Sequence, residues 1–156
     1  MPSECEVSGC DARPPSEQIG YAICPLHQLS QRMPNYRTLK VWQHAQRLAL
    51  ECAKAAKRFP PEDCNVLKMQ LLRACYSVPL NIAEGSGRKG PREFRRFLDT
   101  ARGSLAETQT ALELAKEQGF IEPTEYERLE AIATETAKTL WGLLRKISDS
   151  AVYPAP

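Results

Sequence analysis

The chain has 156 residues, 42% hydrophobic and 26% charged, the balance of an ordinary globular domain with room for one core and a short appendage. No apolar run approaches the roughly 20 residues that span a bilayer, and the acidic N-terminus lacks the apolar stretch of a secretory signal. A cytoplasmic protein without a membrane partner is therefore expected. The net charge of +2 is unevenly spread: residues 1–34 carry two basic and four acidic side chains, the rest nineteen and fifteen.

Three segments are expected: a zinc-knuckle-like segment with its linker over 1–34, a four-helix bundle over 35–150, and a tail over 151–156. The first contains Cys5, Cys10, Cys24 and His27 as two ligand pairs. Three thiolates and an imidazole suit tetrahedral Zn²⁺, and four protein ligands leave no open position, so the metal would be structural. Gly9 allows the tight turn before Cys10. The segment is too short and polar to build a core, so metal binding would supply its folding energy. It resembles short treble-clef-like zinc modules. The alternative is a tail with incidental cysteines. Cys52, Cys64 and Cys75 are expected to stay outside the site.

Helix one is expected from an N-cap at Thr38 to about Phe59, with Val41, Trp42, Ala45, Leu48, Ala49 and Cys52 on its apolar stripe. Pro60-Pro61 breaks the chain. Helix two starts near Asp63 or Asn65 and ends at Glu84. Helix three begins with Pro91 and runs to about Gln118, where Gly119 signals a C-cap. Helix four opens at Pro123-Thr124 and runs to about Ser148. Four amphipathic helices with short loops predict an all-α, antiparallel up-down-up-down four-helix bundle. Trp42, Leu71, Val78, Ile82, Phe97, Leu105, Leu112, Leu129, Leu140 and Leu144 are the expected core anchors.

Helix two is unusual. Leu71, Cys75, Val78 and Ile82 form an apolar face, while Gln70, Arg73, Ser77, Asn81, Glu84 and Arg88 recur every three or four residues as a polar stripe. Pro79 lies inside the helix, where a kink is expected, and Gly85 and Gly87 are expected to end it through positive φ. A polar stripe flanking a proline suggests a network in which Ser77, Asn81 and Glu84 meet Arg102 of helix three, within the bundle or at a subunit seam. A buried Glu84 would require such a partner.

Gln70, Arg73-Ala74, Ser77-Val78-Pro79, Asn81 to Gly85 and Gly87-Arg88 make one block. Tyr36-Arg37 with Leu39 to Gln43 and Ala45 make another, and Glu93-Phe94, Arg96 to Leu98 and Ala101 to Glu107 a third. Together these blocks resemble the small four-helix-bundle proteins first met as reading frames inside intervening sequences of bacterial 23S rRNA genes. The resemblance covers about residues 36–148. It implies a homopentamer. Distant relatives are accessory proteins of diversity-generating retroelements, in which a basic pentamer binds a reverse transcriptase and RNA.

An enzyme is not expected. Only His27 and His44 are present. No Ser/His/Asp set and no Glu-x-x-His pair can be placed, and the loop after helix two lacks P-loop spacing. No small-molecule substrate is implied. The feature that points to a ligand is Arg88, Lys89, Arg92, Arg95 and Arg96 against Glu93 alone, a +4 stretch at the start of helix three. Free N–H groups there favour phosphate. The patch is short, and a pI of 8.2 falls below the value above about 9 usual for nucleic-acid binders. On charge alone a solvated basic turn accounts for it; an oligomer repeating the patch would favour RNA. Two readings stand: an oligomeric RNA-binding accessory protein, or an assembly module that binds only protein.

Overall fold

The computed structural model describes residues 35–60 and 65–152, all within the second of the two units into which the chain divides, Met33–Pro156. The proposed zinc ligands Cys5, Cys10, Cys24 and His27, together with Cys64, lie outside the described residues.

A single 3₁₀ turn, Tyr36–Thr38, precedes four helices: α1 Lys40–Ala56, α2 Asn65–Ser86, α3 Pro91–Glu117 and α4 Pro123–Val152. No strand occurs among the described residues, and no described helix is long and apolar enough to cross a membrane. Consecutive helices pack on one another and α1 closes on α4, with no diagonal helix pair in contact among the described residues. Cross-helix contacts fix the directions. On α2 and α3, Ser77 meets Ser104 while Gly85 approaches Phe97. On α3 and α4, Gln109 meets Glu130 and Arg95 meets Ser148. Partner numbers fall on one helix as they rise on the other, so neighbours run antiparallel.

The core follows the predicted stripes. Leu48, Leu71, Ile82, Leu98, Leu112, Leu129 and Leu140 are each under 2% exposed. The buried Thr108 and Thr136 hydroxyls donate to the Ser104 and Ile132 carbonyls one turn back, both at 2.8 Å, so neither polar group is orphaned. Trp42 and Phe97, expected as anchors, are only half-buried: Trp42 packs on the core's edge, and Phe97 lies between Gly85 and the guanidinium groups of Arg88 and Arg96.

Three local expectations need correction. Thr38 is not the N-cap: its hydroxyl donates to the Asn35 carbonyl at 2.8 Å inside the 3₁₀ turn, and Leu39 takes the cap position without a side-chain bond. Gly85 does not end α2 through positive φ, since only Gly90 and Gly119 have it among the described residues. Gly85 lies within the helix, where an added Cβ would stand 2.6 Å from Phe97 Cβ and 2.9 Å from Phe94 Cδ2. It is glycine because α3 packs directly on the α2 backbone. Gly90, at φ 86°, makes the turn instead. α2 runs through Pro79 to Ser86, beyond the expected Glu84. Gly119, at φ 72°, does close α3: the Phe120 N–H bonds the Ala115 carbonyl and the Gly119 N–H the Lys116 carbonyl, a Schellman pair.

Candidate nucleic-acid interface

The antiparallel order brings the N-termini of α1 and α3 and the C-termini of α2 and α4 to one end. Dividing the bundle at the level of Tyr76 and Ser104 separates its charges. Among the described residues, 35–48, 76–104 and 136–152 hold twelve basic and four acidic residues, a balance of +8; 49–60, 65–75 and 105–135 hold seven and nine, a balance of −2. The sequence showed +4 in the α2–α3 turn. The fold adds Arg37 from the 3₁₀ turn, Lys40 from the start of α1, and Arg145 and Lys146 from the end of α4. These four were missed because their nearness is tertiary; the only available signal was the expected topology.

Within the patch the cations are held unequally. Arg88 is paired with Glu84 one turn back, and its guanidinium lies 5.2 Å from the Phe97 ring centre. Arg96 covers the same ring at 5.6 Å. Such a ring contact holds a guanidinium in place without neutralising its charge. Arg95 donates to Ser148 Oγ and stands 3.8 Å from Asp99. Lys89 and Arg92 are exposed and make no ion pair or hydrogen bond among the described residues. All five flank the first turns of α3, which lacks a side-chain N-cap bond at Gly90, so its first N–H groups face outward with the cations.

The expected network divides. Asn81 Nδ2 donates to the Ser77 carbonyl at 2.8 Å and to Ser77 Oγ at 2.9 Å, and Ser104 Oγ completes the chain at 2.8 Å. Glu84 and Arg102 do not meet within the chain. Glu84 is half exposed and takes Arg88, while Arg102 lies 3.3 Å from Asp99 on its own helix. The reason is helical spacing: Arg88 and Asp99 stand one turn from their partners, whereas Arg102 is five residues past Phe97, which faces Gly85. Ser104, a small residue, was the missed member.

In the opposite half two carboxylates, Glu51 and Glu125, are paired with cations of the same half. Glu51 accepts from Lys54 and Arg128, both at 2.6 Å, and these cations hold its pKa down at about 2. Glu125 pairs with Arg58 and lies 3.6 Å from Arg128. No group of three or more His, Cys, Asp or Glu side chains able to hold a metal occurs among the described residues.

A model of the 23S rRNA-intervening sequence protein family matches residues 37–142, about two thirds of the chain. A crystal structure of a protein of unknown function from the S23 ribosomal protein family of Bacteroides thetaiotaomicron is similar, with a TM-score of 0.63 and 26% identity. That match covers 67% of this chain and 97% of that one. No functionally curated protein matches. Four antiparallel helices and the matched span give one conclusion: the chain belongs to the 23S rRNA-intervening sequence protein family.

Proposed function

We propose that this protein is a non-enzymatic, homo-oligomeric RNA-binding protein that takes the RNA backbone on its basic half. The observation that carries this is the charge division of +8 against −2 among the described residues of one bundle. It concentrates cations where the first N–H groups of α3 also point, and phosphate gains from both. Arg88, Lys89, Arg92, Arg95 and Arg96 are the contact residues. Five cations on one monomer bind weakly at physiological salt; an oligomer, a pentamer if it follows the resemblance, repeats them on one frame. The N-terminal Cys5, Cys10, Cys24 and His27 hold one structural Zn²⁺ in this reading, and metal analysis of the purified protein should give about one zinc per chain.

The test is RNA retention measured against salt. Log affinity should fall steeply and linearly with log salt, since neutralising phosphates releases counterions. Replacing Arg92, Arg95 and Arg96 with Glu should abolish retention without changing helicity or mass. Light scattering should give several times the 17.5 kDa chain mass.

One observation favours the assembly-module reading. The α1–α2 face carries an apolar groove of about 390 Å³ lined by Tyr36, Trp42, Leu50, Tyr76, Pro79 and Leu80, with Leu50 55% and Leu80 66% exposed. An apolar groove of this kind suits a protein neighbour. If wild-type protein retains no RNA at low salt, that reading replaces the first.

A further inference from the structure

Trp141 on α4 is 56% exposed, although an indole gains more from burial than any other side chain. It makes no ring or cation contact and no hydrogen bond among the described residues. It lines a groove of about 240 Å³ between α3 and α4 together with Leu105, Ala106, Gln109, Ala137 and Leu140. Arg102 of α3 lines the same groove. The register is fixed by the Arg95–Ser148 contact: two turns along each helix from that pair lie Arg102 and Trp141.

Helical spacing surrounds the ring with charge. Lys138 and Arg145 are three and four residues from Trp141, so they flank it on the same face. The acids near this face are paired: Glu135 with Lys138 at 2.8 Å, and Asp99 with Arg95 and Arg102. The groove therefore lies within the basic half, with the exposed Arg145 as its cation outside any ion pair among the described residues.

We infer that Trp141 and Arg102 form a stacking site for an unpaired nucleobase, so that the RNA held by the basic half is single-stranded. The inference rests on the RNA-binding reading and adds the substrate class. An exposed indole flanked by cations is the arrangement that holds a base by its face and the neighbouring phosphates by charge. Bases in a duplex are stacked on one another, and their faces are closed to a side chain on a helical surface.

The test uses the full chain with Trp42→Phe, which leaves Trp141 as the single indole. The probes are a mixed-sequence single-stranded RNA of about a dozen nucleotides and the duplex it forms with its complement. Single-stranded RNA should quench Trp141 emission, and duplex should not. Trp141→Ala, made in the wild-type chain, should weaken single-strand binding roughly 10-fold and leave duplex binding unchanged, while Trp141→Phe keeps most of the affinity. Equal losses for both RNAs, or no loss for either, would overturn the stacking site and leave the RNA-binding reading standing. A fall in mass by light scattering in Trp141→Ala would also overturn it, assigning the groove to a second copy of the chain. If the wild type binds neither RNA, both readings fall together.

Discussion

The two halves of the bundle use the same kinds of side chain to opposite ends. In the half containing Glu51 and Glu125, these two carboxylates meet Arg128 and Arg58 across α1 and α4, so their charge is consumed inside the fold. In the other half the cations outnumber the acids three to one, twelve against four, and several are held by aromatic rings or not at all. A ring contact orients an arginine without neutralising it; a carboxylate does both. The difference separates charge that serves stability from charge left available to a partner, and net charge alone cannot show it.

The largest expected effect comes from the backbone contact that anchors the basic half. Gly85→Val places atoms where Phe97 and Phe94 already stand, at 2.6 and 2.9 Å, and must push α2 from α3. A loss of about 3 kcal/mol is expected in urea denaturation. Because Phe97 supports Arg88 and Arg96, RNA affinity should fall in the fraction that remains folded. Unchanged stability would show that the two helices are not in close register there.

That contact shows what sequence could and could not reveal. The four helices, their stripes and the Gly119 cap were legible because periodicity, proline and glycine signals are local. Gly85 was noticed but read as a helix end, since a glycine kept for close approach looks the same in sequence as one kept for φ. The +4 stretch at the start of α3 was legible because its residues are contiguous; Arg37, Lys40, Arg145 and Lys146 join it only once the topology is known. Within one chain Glu84 takes Arg88 rather than Arg102, because helix phase near a close crossing decides which arginine is in reach.

In the acidic half, Glu51→Gln removes a carboxylate that accepts from two cations on two helices. The expected loss is about 1–2 kcal/mol, reduced from the full linkage value because Lys54 and Arg128 reach solvent and are screened. The sign is fixed by the depressed pKa, about 2 against an ordinary 4.5. The stabilisation is complete above about pH 4.5 and is lost as pH falls toward 2. Wild-type melting temperature should therefore drop over that window, and the Gln variant should show a flatter profile. RNA affinity should not change, which separates the halves directly.

A smaller gain is expected at Gly103. It lies inside α3 with nothing within 4 Å of an added Cβ, in contrast to Gly85. Gly103→Ala should stabilise the fold by about 0.5–1 kcal/mol through reduced freedom of the unfolded chain. A loss in calorimetry would show that this exposed face is covered in the oligomer.

The smallest effect on stability, and the sharpest probe of the contrast, is Glu84→Gln. Glu84 holds Arg88 on an exposed turn, with both side chains about half in solvent. Pairs of that kind contribute little to folding, so the melting temperature should stay where it is. RNA binding should rise, in contrast to the fall expected for Gly85→Val and for the Arg92, Arg95 and Arg96 replacements. Without its carboxylate, Arg88 keeps its place over Phe97 but loses its competing anion, and the basic half gains one net positive charge. Affinity at low salt should rise a few-fold, with a steeper dependence on salt by up to about one phosphate contact. If affinity instead falls, the carboxylate is orienting Arg88 for its partner, and the cation is held by both ring and acid. If nothing changes at any salt concentration, Arg88 lies outside the RNA path and the contact surface begins at Lys89.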